Sequence, residues 1–127
     1  MTAPLSAPTD ADLFETVSSL VGPAARVQLW LFPLDADGVP VRVVIPIEDV
    51  PLDPGVMPRL GASVTEMAEL GGWAALVLVW ERPGPPWLSA REEEVVAAFR
   101  SASGIPLRAE FLSHDTGVRR VRSGTAA

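Results

Sequence analysis

Residues 72–111 read GWAALVLVWERPGPPWLSAREEEVVAAFRSASGIPLRAEF, and they constrain the fold more than any other part of the chain. Ala74 to Trp80 is apolar at every position, without the alternation of a strand that has one wet face, which marks a central strand. A proline-glycine loop follows. Ser89 with Glu92 then forms a capping box, and Val95, Val96, Phe99 and Ala102 make the inward stripe of a helix that Gly104 ends. Beyond it Leu107, Ala109 and Phe111 alternate with Arg108 and Glu110, the pattern of a strand covered on one side. A strand, crossover helix and strand of this length make a parallel pair, and parallel sheets gather their loops along one carboxyl edge.

The remaining punctuation extends this unit. Thr9 and Asp12 resemble a capping arrangement, and Leu13, Phe14, Val17, Leu20 and Val21 share a helical face before Gly22-Pro23. Val27 to Phe32 and Val41 to Ile47 are strand-forming runs, separated by a segment whose Asp37-Gly38 pair suits a hairpin turn. Asp53 and Pro54 suit a helix start, Leu60, Val64, Met67 and Ala68 repeat at helical spacing, and Gly71-Gly72 ends the pattern. A short last strand is expected over Val118 to Val121. The expectation is an α/β (or α+β) domain with one mixed sheet of four or five strands. Its order is helix, strand, strand, helix, strand, helix, strand, an N-terminal hairpin followed by parallel crossovers. Residues 1–8 are expected to be a flexible arm, 9–121 a single domain and 122–127 a flexible tail.

Composition narrows the chemistry. Cysteine and tyrosine are absent, all ten basic residues are arginine, and His114 is the single histidine. Disulfides, thiolate metal sites, cysteine nucleophiles and Schiff-base lysines are thereby excluded, and so is a two-histidine zinc site within one chain. No metal centre and no cofactor are expected. The formal net charge of -6 disfavours general adsorption to nucleic acid or anionic membrane. No apolar run approaches the roughly 18 to 20 residues that span a bilayer. The first residues also lack the basic start and apolar core of a secretion signal, so a cytoplasmic location is expected.

If the second, third and fourth strands run parallel, their ends bring together Glu48-Asp49, Glu81-Arg82 with the PGPPW loop, and Ser113-His114-Asp115. Glu48, Asp49, Glu81, Arg82, His114 and Asp115 are the candidate ligand-binding residues, able to bind a polar ligand or a divalent ion through oxygen or to act as acid and base. No residue is assigned a catalytic role. Ser113, His114 and Asp115 are the residue types of a hydrolytic triad, but consecutive residues do not normally form the relay. The DADG segment resembles the start of a calcium loop, yet the twelfth position from Asp35 is Pro46 rather than Glu, and a turn is the better reading. One short first helix leaves part of a sheet face uncovered. Trp30 and Phe32 on that face, and Trp80 and Trp87, which flank the proline loop and can form a binding platform with it, are the candidate interface residues.

The phrases VRVVIPIEDVP and LVLVWERPGPPWLSARE, followed by an amphipathic helix and GIPLRAEFLS, resemble a group of small uncharacterised α/β proteins of GC-rich bacteria, over roughly residues 26–121. The resemblance implies a compact α/β domain and carries over no functional residue. The leading expectation is a noncatalytic interaction module that self-associates or binds a protein partner, a homodimer being one form. A small-molecule or divalent-metal-dependent enzyme at the carboxyl edge is the alternative. A nucleic-acid accessory protein using Arg108, Arg119, Arg120 and Arg122 is a further one.

Overall fold

The computed structural model describes residues 7–121 as three helices and one five-stranded mixed sheet. In chain order these are α1 (Asp10–Leu20), β1 (Gln28–Leu34), β2 (Ile45–Glu48), α2 (Met57–Gly71), β3 (Ala75–Glu81), α3 (Ala90–Ala102), β4 (Leu107–His114) and β5 (Gly117–Arg120). The arm expected over 1–8 and the tail over 122–127 fall largely or wholly outside the described residues, as does Arg122. Ala7 and Pro8 are described, and the Pro8 carbonyl accepts from Arg108 at 3.5 Å.

The strands lie in the order β2-β1-β3-β4-β5. This differs from a sequential sheet because β1 pairs antiparallel with both β2 and β3, which places the hairpin partner β2 at the edge. β2, β3 and β4 nevertheless run in one direction, since two antiparallel steps separate β2 from β3 and β3 pairs parallel with β4. β5 returns antiparallel to β4, so β4 and β5 form a second hairpin and the sheet has five strands.

Each face of the sheet has its own core. Leu29, Leu31, Leu76, Leu78, Trp80 and Leu112 pack beneath α2 and α3, meeting Met57, Val64, Val95 and Phe99. Phe32, Leu34, Val77, Val79, Ala109 and Phe111 pack on the opposite side with Leu13 and Val17 of α1. β3 is buried at both faces, which is why its sequence shows no alternation. β4 differs from the expected one-sided strand. Its register steps from Leu76 opposite Leu107 to Val77 opposite Ala109, a bulge that absorbs one residue at Arg108. Leu107 therefore packs on the α2/α3 side and Ala109 and Phe111 on the α1 side, although all three share one parity.

Local chemistry accounts for the helix ends. Thr9 with Asp12 and Ser89 with Glu92 form capping boxes at α1 and α3, and Gly72 ends α2 in the left-handed region with φ 68°. α2 starts later than Asp53 implies. Asp53 accepts from the Gly55 amide in a preceding turn, and α2 opens at Met57 with a proline in its first turn and no side-chain cap. The Asp35 carboxylate accepts from the amides of Asp37 and Val39, which makes the DADG segment a turn.

α2 and α3 approach closely at Gly61. A Cβ there would lie 2.6 Å from the Ala102 Cβ and 3.0 Å from its carbonyl carbon. Gly61→Ala is expected to lower stability by about 2 kcal/mol, because forcing two helices apart outweighs the alanine's better helix propensity. Denaturant unfolding checks this, and a stability equal to or above wild type would show that the pair can spread freely.

Candidate functional site

The carboxyl ends of β2, β3 and β4 meet at one edge, as their common direction requires. Across it Glu48, Gln28, Glu81, Ser113 and Val118 occupy one transverse row, each paired with the next in register. The row faces the α1 side, where the connector from α1 to β1 crosses it. Arg82 follows Glu81 directly, so strand alternation sends its side chain to the other face, toward the N-terminus of α3. Two adjacent and opposite charges thus serve different structures.

Glu81 is 4% exposed and accepts four hydrogen bonds. One carboxylate oxygen takes the amides of Ala25 at 2.6 Å and Arg26 at 3.2 Å, and the other takes Gln28 Nε2 at 2.6 Å and Trp30 Nε1 at 2.9 Å. Burial pushes its pKa up, but the donors from Ala25, Gln28, Trp30 and Arg26 outweigh this and hold it below the ordinary value. The carboxylate is therefore ionised, and its four partners occupy the lone pairs that a ligand would need. Ser113 Oγ, beside it, donates to the Gly22 carbonyl at 2.6 Å. Both side chains fasten the connector to the sheet.

Arg82 is buried as well, 6% exposed, and fastens the proline loop 83–88. Its Nε and Nη2 fork onto the Glu92 carboxylate at 2.7 and 3.1 Å, Nη1 donates to the Pro85 carbonyl at 2.7 Å, and Nη2 donates to the Trp87 carbonyl at 2.8 Å. Burial raises the Glu92 pKa, while bonds from Arg82 and Ser89 lower it by more and keep it ionised. The same carboxylate closes the α3 capping box. Gly84 and Asp115 exchange two bonds, Gly84 N to Asp115 Oδ1 at 2.9 Å and Asp115 N to the Gly84 carbonyl at 3.0 Å. Arg119 donates to the Pro86 carbonyl at 2.7 Å. Four consecutive residues of the loop are thus held from three directions. Gly84 sits at φ 141° with Arg82 Nη1 3.1 Å from where a Cβ would be, so a side chain there meets both strain and the guanidinium.

The sequence-derived candidates separate accordingly. Arg82, His114 and Asp115 come together around the proline loop while Glu81 faces the opposite side of the sheet, and the polar atoms of all four are engaged by other groups of the protein. Glu48 and Asp49 do not join them. Glu48 pairs with Arg26 at 3.1 Å with both side chains 59% exposed, and Asp49 makes the exit turn of β2 at φ 55°. Ser113, His114 and Asp115 address three different partners, the Gly22 carbonyl, the Thr116 amide and the Gly84 amide, so no nucleophile-base-orienter relay forms. Among the described residues no group of three or more histidines and carboxylates is placed to hold a metal ion.

Of the candidate interface residues, Phe32 and Trp80 belong to the interior, 8% and 3% exposed. α1 and the neighbouring side chains cover Phe32. Trp80 lies under α3, edge-on to Phe99 with ring centroids 5.6 Å apart. Trp30 is half-buried, its indole tied to Glu81. Trp87 alone of the four stands out, 62% exposed. Sequence reasoning missed Gln28, Trp30 and Arg119 as anchors of the two loops. The available signal was a charged pair placed directly after an all-apolar strand, which must find partners on both faces.

The crevice beside Arg82 is lined by Leu52, Trp80, Leu88, Glu92, Val95 and Leu112, among others, and measures about 10 Å³. That is room for roughly one water molecule. No described helix is long and apolar enough to cross a membrane. Comparison with protein-family models and with curated proteins finds no match.

Proposed function

We propose that this protein is a noncatalytic binding module whose contact surface for a protein partner is the proline loop 83–88, with Trp87 as its anchor. The observation that carries the reading is an exposed tryptophan on an immobilised loop. Its backbone is bonded at Gly84, Pro85, Pro86 and Trp87 while Pro83, Pro85 and Trp87 face solvent. Tryptophan carries much of the energy at protein interfaces, and a loop already ordered loses little entropy on binding.

Two further features support this surface over others. The sheet edges are poor templates for added strands: β2 has four residues with Pro46 among them, and β5 has four with Arg119 and Arg120 exposed. The crevice beside Arg82 has room for roughly one water molecule, which favours a surface contact over an enclosed small-molecule site there. A second copy of the chain is one partner that the surface would accept.

Trp87→Ala is expected to change stability by less than about 0.5 kcal/mol, since the loop is held by carbonyls that alanine keeps. A photocrosslinker placed at position 83, on the exposed side of the loop with Trp87 kept, is expected to form a saturable protein adduct. Excess wild-type protein should displace it and the Trp87→Ala variant should not. Equal labelling from position 70, where Leu70 is 85% exposed on another part of the surface, would overturn the proposal. Displacement by the alanine variant as effective as by wild type would do the same.

A further inference from the structure

The proline loop has a titratable group at its base. His114, 7% exposed, ends β4, and its ring Nδ1 accepts from the Thr116 amide at 3.3 Å, with Thr116 Oγ1 3.4 Å away. An Nδ1 that accepts from an amide has its lone pair free, so the ring is the neutral tautomer with its proton on Nε2. This bond closes the turn that carries Asp115, and Asp115 holds Gly84 through two bonds. Charges face the ring from each neighbouring element: Arg82 from the end of β3, Arg119 from β5 and Asp115 from its own turn, while Glu92 of α3 is taken up by Arg82. The two arginines are the same side chains that hold Pro85, Pro86 and Trp87.

We propose that His114 is an acid-sensitive latch on the loop, whose protonation loosens the contact surface around Trp87. Protonation converts Nδ1 from acceptor to donor, opposite the Thr116 N–H, and adds a third cation beside Arg82 and Arg119. Every fastening of the loop passes through one of those groups or through Asp115 in the same turn. Burial and the nearby arginines already favour the neutral ring, against the weaker opposing pull of Asp115. The folded state with the latch closed thus binds the proton less readily than the opened one. Loop order is complete above about pH 6.5, the ordinary histidine value, and is lost progressively as pH falls below it. The inference rests on the loop as the contact surface, but its test reads loop order and needs no partner.

The single histidine makes the titration unambiguous by proton NMR. In the intact chain the His114 ring is expected to titrate below pH 6.5. Over the same range the protection factor of the Gly84 amide should fall, by up to about tenfold per pH unit below 6.5. In His114→Gln, whose amide oxygen can still accept from Thr116 and does not protonate there, that fall should vanish. A Gly84 protection factor that is flat through the histidine titration would overturn the latch, whatever the crosslinking at position 83 shows. So would an unchanged fall in the glutamine variant. Should that variant fold poorly, the wild-type comparison of ring and amide decides alone. A working latch with no adduct at position 83 would leave the loop dynamics standing and remove the proposed partner.

Discussion

Replacing Glu81 by glutamine is expected to destabilise the protein by about 3 kcal/mol, although the substitution preserves size and shape. A carboxylate offers acceptors on both oxygens, and here each serves two N–H donors. Glutamine keeps one oxygen and replaces the other by an NH₂ group. In either amide orientation two donors then face another donor: the part-buried amides of Ala25 and Arg26, or the Gln28 and Trp30 side chains. For a domain of this size a loss of that order lowers the melting temperature by about 10 °C.

The pH dependence supplies an independent check. Glu81 binds a proton less readily folded than unfolded, so its contribution is complete above about 4.5, the ordinary value, and is lost as pH falls from there through the lower folded value. Glu92 acts in the same direction. The glutamine variant should therefore show a shallower loss of stability on acidification, with the Glu92 component remaining. Urea unfolding from pH 7 to pH 3 measures both quantities. Wild-type stability together with a wild-type acid slope would mean that the four hydrogen bonds do not fasten the connector.

The parts of this fold that were legible in the sequence are those decided by neighbours along the chain. The capping residues Thr9 and Ser89, the turn at Asp37-Gly38 and the two-sided burial of β3 follow from local chemistry or local pattern. The placement of β1 between β2 and β3 does not, because the hairpin fixes only which strands pair and leaves the other edge of β1 open. The bulge at Arg108 was equally hidden. Leu107, Ala109 and Phe111 alternate as though on one face, and only pairing with Leu76 and Val77 reveals the slipped residue. At the candidate site the residue types and the sheet edge were readable from strand direction. Their engagement was not, since it depends on two loops, 22–26 and 83–88, folding back over Glu81 and Arg82. Polar residues at a carboxyl edge are as suited to holding such loops as to holding a ligand.

Replacing Arg82 by lysine is expected to cost about 2 to 3 kcal/mol despite conserving the charge. The guanidinium places four bonds in one plane, two on Glu92 and one each on the Pro85 and Trp87 carbonyls. A lysine ammonium is a point donor that can reach Glu92 or a carbonyl but cannot span all three. Whichever bond it keeps, groups partly buried against Leu88 and Val95 lose their donor. The effect should also be local: Trp87 ordering should fall while the α1 connector, fastened by Glu81, remains protected. Amide exchange separates these regions, and thermal unfolding gives the total. The double substitution Arg82→Lys with Glu92→Gln should fall short of the sum of the single losses by at least about 1 kcal/mol, as expected for partners in contact. Strict additivity, or a lysine variant whose loop amides stay as protected as wild type, would show that the loop holds its shape without the fork. The surface around Trp87 would then owe its order to Arg119 and Asp115, which anchor the Pro86 carbonyl and Gly84 from the β5 side.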